Sequence, residues 1–232
     1  WGEKLLQRER IVRMVEEFGF EGMVKQVAYT WFNRLIGVRY LEVNGFLPQG
    51  CNILSPGPEG GEEPQMVTHM RKNIGSWPWA QRERWQRMYD DGEKDRMFHQ
   101  MFLYECSQLG KCIPGFFDHS GDGGELLVRL SYTQPDGLVQ TLLRSIPEED
   151  FGDEVEVIGW MYQYYNAEEK DKIFAQLKKN IKIAKEDVPS VTQLFTPHWL
   201  VRYMVENSLG RLWLTAHPEE NLEKNWRYYV KE

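Results

Sequence analysis

The chain has 232 residues, 41% hydrophobic and 27% charged, with 11 Phe, 11 Tyr and 9 Trp. That apolar bulk excludes a disordered tail or a low-complexity linker. The formal net charge is −7, which taken alone argues against a domain that wraps nucleic acid, because neutralising phosphates needs a Lys/Arg surplus. Length allows one large domain, or one and a piece of another. No run of 18 apolar residues occurs, so no transmembrane helix and no membrane partner are expected. The start Trp1-Gly2-Glu3-Lys4 lacks the order of a secretory signal. Three cysteines, Cys51, Cys106 and Cys112, are too few for a disulfide framework and fit a reducing cytoplasm. With no initial Met and an aromatic, charged finish at Asn225–Glu232, the chain is expected to be an excerpt of something longer.

The first 47 residues read as helical. Leu5, Leu6, Ile11, Val12 and Val15 suggest one amphipathic helix, stopped by Gly19 and Gly22. Val24, Val27, Ala28, Trp31, Leu35 and Val38 then share one face of a 3.6-residue period. Asn44-Gly45 supplies the stop and Pro48 prevents resumption. Residues 48–64 hold four prolines and four glycines and predict a loop with no reason to be ordered by itself. Helical character returns over Gln81–Tyr89 and Lys94–Ser107, and the Gly121-Asp122-Gly123-Gly124 cluster marks a second irregular stretch. Glu125–Leu130 reads equally as a short strand or a helical turn. Further helices are expected over Asp136–Arg144, Asp153–Tyr165 and Ala167–Lys179. Asn166 with Glu169 three residues on forms a capping-box pattern, and Val188-Pro189 breaks the chain.

Charge is unevenly spread. Ser145–Glu169 carries eight acids and no Lys or Arg, whereas Lys170–Lys185 carries six Lys against Asp171 alone. Two solvated faces of opposite sign account for this. A phosphate-contacting face built on Lys178, Lys179 and Lys182 is the alternative.

Few motifs carry chemistry. Asp118-x-x-Gly121-x-Gly123 lacks the strand before it and the helix after it that a phosphate-binding turn needs, so it reads as a surface turn. His99, Cys106, Cys112 and His119 match no zinc spacing, and cysteines packed in a helical core are the simpler reading. No metal site is expected. Glu148-Glu149-Asp150 read as the acidic first turn of a helix. Gly-x-Ser-x-Gly, His-Glu-x-x-His and P-loop motifs are absent.

Residues 192–208 differ. Thr196 suits an N-cap and Pro197 the first helical position. Trp199 with Tyr203, and Leu200 with Met204, then lie at i, i+4 spacing. The start of such a helix is a seat for a carboxylate. A purely structural capped helix explains the same residues.

Gln193-Leu194-Phe195-Thr196-Pro197 resembles the Gln-x-Phe/Tyr-Thr-Pro motif of amino-group DNA methyltransferases. Ala28–Leu35, Leu41–Pro48, Ile158–Tyr165 and Val205–Trp213 resemble blocks of the adenine-specific methyltransferases of BREX phage-defence systems. The resemblance implies a mainly α fold, with an N-terminal helical domain over 1–187. Residues 188–232 would then be the opening segment of a Rossmann-like S-adenosylmethionine-dependent methyltransferase domain that is not included. It implies S-adenosyl-L-methionine as cofactor, with Gln193–Pro197 as one wall of its pocket, and double-stranded DNA as substrate. The family continues with an acidic-x-x-x-Gly-x-Gly turn and Asn-Pro-Pro-Tyr. Neither occurs here, so no catalytic residue is expected in this chain and the chain alone should be inactive. Two other readings stand beside this one. The first is the methyltransferase part of a type IIG restriction enzyme. The second is a non-catalytic helical scaffold for other phage-defence proteins or a phage-encoded inhibitor.

Overall fold

A computed structural model of the chain describes residues 2–47, 50–72, 78–114, 116–117, 123–152, 156–192 and 194–231. Among them the regular elements are helices and short 3-10 turns, without strands, as a mainly α fold requires. The chain divides into two compact units, Trp1–Asp153 and Glu154–Glu232.

The first unit is organised by α1 (Gly2–Val43), interrupted at Gly19, whose φ of 73° and ψ of 170° are non-helical. The expected stop therefore falls at Gly19, and the helix resumes at once. Beyond it, Met23, Val27, Trp31, Leu35 and Val38 face the core, while Val24, expected on that face, is 46% exposed. α2 (Gln65–Lys72) contributes Met66, Val67 and Met70. α3 (Trp79–Asp90) contributes Trp85 and Met88. α4 (Lys94–Cys112) buries Met97, Phe98, Met101, Phe102, Cys106 and Leu109. Trp31 is stacked on Phe102 and His99, with ring centroids 6.1 and 5.6 Å away.

The loop after α1 is ordered, contrary to expectation for a stretch so rich in Pro and Gly, because α1 supplies its missing partners. One Glu42 oxygen accepts the Ile53 and Leu54 backbone N–H groups, each at 2.7 Å, and the other accepts the Ser55 hydroxyl at 2.7 Å. Arg39 donates to the same carboxylate. Gln65 accepts the Asn52 N–H, and the Ile53 and Leu54 side chains are buried. Pro48 itself lies outside the described residues.

Glu125–Leu130 begins in a 3-10 turn, Gly124–Leu126, rather than a strand. α5 (Leu138–Ser145) starts two residues later than expected, behind Gly137 in an extended conformation. α6 (Glu149–Gly152) opens on Glu149 and Asp150, while Glu148 pairs with Arg39 at 2.7 Å. Asn44 closes the unit by donating to the Phe151 carbonyl at 2.8 Å.

The second unit holds α7 (Glu156–Tyr165), α8 (Ala167–Leu177), a 3-10 turn at Lys185–Asp187, α9 (Val188–Thr192), α10 (His198–Asn207), α11 (Leu209–Ala216) and a 3-10 turn at Leu222–Asn225. The expected capping box at Asn166 does not form. Asn166 has helical backbone angles, and its amide turns back to the Tyr162 carbonyl at 3.0 Å. Pro189 does not break the chain but sits in the first turn of α9, where its missing N–H is tolerated. Burial in this unit is sparse. Gly159, Ile173 and Gly210 are its buried residues among those described.

Candidate functional site

The 194–197 stretch runs from α9 to α10 without regular structure, and Gln193 lies outside the described residues. Phe195 packs flat against α7: a Cβ on Gly159 would lie 2.1 Å from the Phe195 ring. The Phe195 N–H donates to the Gln163 side-chain oxygen at 3.0 Å. Leu194 is exposed, whereas Phe195, Thr196 and Pro197 are half-buried.

The helix start is shifted by one residue from the expected position. Pro197 occupies the N-cap with φ −54° and ψ 140°, so Thr196 precedes the cap instead of forming it. Extended backbone angles suit the fixed φ of proline, and the Pro197 carbonyl accepts the Leu200 and Val201 N–H groups at 2.9 and 3.2 Å. No side chain caps this terminus. Among the described residues, the first N–H groups of α10 thus gain no capping side chain.

Of the residues expected on an apolar face of α10, Leu200 is half-buried and Trp199, Tyr203 and Met204 are exposed. Trp199, Val201, Tyr203, Met204 and Val205 are each more than 40% exposed. Behind α10, Asn207 fastens the C-terminal stretch: its amide donates to the Tyr228 carbonyl and its oxygen accepts the Val230 N–H, both at 2.8 Å. Glu206 accepts the Tyr228 N–H at 2.7 Å. The Trp226 ring rests on Gly210 of α11.

Lys178, Lys179 and Lys182 are exposed around the end of α8. The helix closes with Asn180 at φ 60°. The Ile181 N–H bonds to the Gln176 carbonyl, and the Asn180 N–H to the Leu177 carbonyl. This is the Schellman pattern, with Asn in the left-handed position. Cations at a helix C-terminus are also favoured by the macrodipole, so Lys178 and Lys179 have a local structural use as well.

In the first unit the tempting chemistry is structural. Burial and two nearby carboxylates push the Cys51 thiol up to about 11. Burial above all pushes Cys106 to about 12, which keeps both as inert thiols rather than thiolate ligands. Burial also holds the His99 imidazole below its ordinary value, and its Nδ1 accepts the Leu130 N–H at 3.3 Å. His119 and the 118–122 turn lie outside the described residues. A cavity of about 510 Å³ is lined by Glu63, Lys94, Tyr132 and Arg144 among others. Its half-buried carboxylate, Glu63, is already satisfied. Glu63 accepts from Lys94 at 3.1 Å, Tyr89 at 3.3 Å, Arg71 at 3.4 Å and Tyr132 at 3.4 Å. Partial burial raises the Glu63 carboxyl, and these donors outweigh it and hold it below its ordinary value.

Comparison with protein-family models gives no match. Comparison with curated proteins does. The adenine-specific methyltransferase BrxX of Escherichia coli O9:H4 (strain HS) is 37% identical over 228 residues, covering 98% of this chain. The adenine-specific methyltransferase PglX of Lacticaseibacillus casei (strain Zhang) is 35% identical over 229 residues, covering 90% of it. The chain is homologous to a segment of these methyltransferases. It spans 18% of the length of each.

Against these methyltransferases, two of the sequence blocks that carried the resemblance turn out to touch. Ile158–Tyr165 lies within α7, and Phe195 of the second block lies on it. Gly159 and Gln163 had no individual signal in the sequence beyond their place in that block. The contact joins residues more than thirty positions apart, a separation that no local pattern encodes.

Proposed function

We propose that this chain is the N-terminal helical part of a site-specific N6-adenine DNA methyltransferase of a phage-defence system of the BREX type. In this reading residues 188–232 lead into its catalytic domain. The observation carrying the reading is identity of 35–37% to adenine-specific methyltransferases over nearly the whole chain. The enzyme would work on host DNA in the cytoplasm. The target adenine would be flipped out of the duplex, as base-modifying enzymes require. When bound, S-adenosyl-L-methionine would supply the methyl group for the adenine amino nitrogen, the S–CH3 bond breaking as the N–CH3 bond forms, with S-adenosylhomocysteine leaving and the amino group giving up a proton to solvent, helped by positioning and electrostatics.

Within this chain Gln193, Leu194, Phe195, Thr196 and Pro197 would form one wall of the cofactor site. The fit rests on the start of α10: it has no side-chain cap, and its leading N–H groups suit a carboxylate such as that of the cofactor's methionine end. Thr196, standing one residue before the cap, is free of capping duty and would face that carboxylate. The test uses a protein that carries this segment together with the glycine-turn and Asn-Pro-Pro-Tyr motifs. It should transfer labelled methyl from S-adenosylmethionine to adenine N6 in duplex DNA, and the 232-residue chain alone should transfer none. Transfer by the short chain would show that the catalytic centre lies within it and has been misplaced, and no transfer by the long one would overturn the reading.

Lys178, Lys179 and Lys182 are proposed to meet the DNA backbone. Reversing all three to Glu should weaken duplex binding at low salt. It should also flatten the log–log salt dependence by about 0.9 for each phosphate no longer neutralised. An unchanged slope in a titration from low to physiological salt would leave the lysines as a solvated helix end.

A further inference from the structure

We infer that Gly159 and Gln163 of α7 are positioning residues for the cofactor wall: a seat on the helix surface that sets where Phe195, and through it the start of α10, stands. The inference rests on the proposed cofactor reading of residues 193–197. Positions 159 and 163 are four apart, so they lie one turn from each other on the same face of α7. One contributes a gap and the other an acceptor. The Phe195 ring occupies the space a side chain at 159 would need, since an added Cβ would meet Cδ1, Cε1 and Cγ at 2.1, 2.3 and 2.5 Å. One turn on, the Gln163 oxygen holds the Phe195 backbone N–H at 3.0 Å.

The hydrogen bond is what separates a seat from ordinary packing. A ring against a glycine needs only shape, whereas a side-chain amide holding the backbone N–H of the motif's middle residue fixes the path of the main chain. Little slack remains downstream. Two residues after Phe195, Pro197 takes the N-cap of α10 with its φ locked by the ring. A shift at Phe195 therefore reaches the N–H groups proposed to face the carboxylate. Binding groups held by their own supporting shell lose affinity when displaced by a fraction of an ångström to an ångström.

The experiment compares three variants of the full-length protein. Gln163→Leu removes the acceptor at similar size, Gln163→Glu keeps an acceptor, and Gly159→Ala fills the gap. The readings are calorimetric affinity for S-adenosylmethionine, hydrogen exchange at the Phe195 amide, melting temperature, and steady-state KM and kcat. Gln163→Leu should weaken cofactor binding by several-fold to about tenfold, the worth of one hydrogen bond. Its Phe195 amide should exchange faster, and the loss should appear in KM for the cofactor rather than in kcat. Gln163→Glu should restore both quantities. Gly159→Ala should weaken binding further, and where it fails to fold the Gln163 pair carries the test alone. Faster exchange at Phe195 with unchanged cofactor affinity would overturn the positioning role and leave packing only. A wild-type protein that binds no S-adenosylmethionine would overturn the cofactor reading, and this inference with it; exchange at Phe195 would then still report the α7 contact by itself.

Discussion

Replacing Glu42 with alanine is expected to destabilise the first unit by about 3–5 kcal/mol, the range for removing one partner of a buried ionic group. The Glu42 side chain is 1% exposed and collects two backbone N–H groups, a hydroxyl and a guanidinium. Alanine would leave the Ile53 and Leu54 N–H groups without their acceptor in a buried loop, and unsatisfied buried donors are costly. Arg39, 3% exposed, would keep only Glu148, whose side chain is largely in solvent. In a domain of this size a loss of that magnitude lowers the melting temperature by roughly 6–20 °C. Glu42→Gln, which keeps the shape and one acceptor oxygen, should fall between the two. Thermal and urea denaturation of the three proteins provide the check, and an alanine variant within about 0.5 kcal/mol of wild type would show that the loop is held otherwise.

The second large effect concerns the uneven distribution of burial. In the 232-residue chain, amides of α10 and α11 should exchange with solvent at least about a thousandfold faster than those in the middle of α4. The interior of α4 is lined with fully buried Met97, Phe98, Met101 and Phe102, so its amides should open only with the whole unit, at a cost of about 5–15 kcal/mol. α10 has no buried residue, and α11 buries only Gly210, while Leu209 and Leu212 are more than 60% exposed. Opening there forfeits little apolar packing, and a difference of about 4 kcal/mol is a factor of about a thousand. In a longer protein whose further residues cover this face, the same amides should slow. Equal protection of α4 and α10 in the short chain would contradict the account.

What the sequence revealed follows the range of the interactions. α3 and α4 were legible as helical stretches over Gln81–Tyr89 and Lys94–Ser107, although α3 begins at Trp79 and α4 runs on to Cys112. α2 was missed: eight residues after a proline-rich stretch, with His69, Arg71 and Lys72 in its last turn, give little period to read. The order in the loop before it depends on a carboxylate 11 to 13 positions upstream, which composition cannot signal. At the candidate site the helix following Thr196-Pro197 was legible, but its cap was placed one residue early. A threonine before a proline fits an N-cap by chemistry, and only the backbone angles decide which residue takes that place. The α7 seat beneath Phe195 is non-local and had to be seen in space.

The interruption at Gly19 has a mechanical consequence. A straight α-helix of 42 residues would be a rod of about 63 Å, at 1.5 Å per residue. With Gly19 out of helical register, the apolar stripe carried by Leu5, Ile11 and Val15 need not be continuous in phase with that of Val27, Trp31 and Leu35. Hydrogen-bond cooperativity is broken at the same place, because helix propagation depends on each successive residue keeping helical angles. Unwinding that begins at the N-terminal end therefore meets a break in the hydrogen-bond ladder before Met23, the first core residue beyond it, and the stretch ahead is held instead by contacts of its own, Gln7 donating to Glu125 at 3.3 Å and Met14 and Val15 packing against the core.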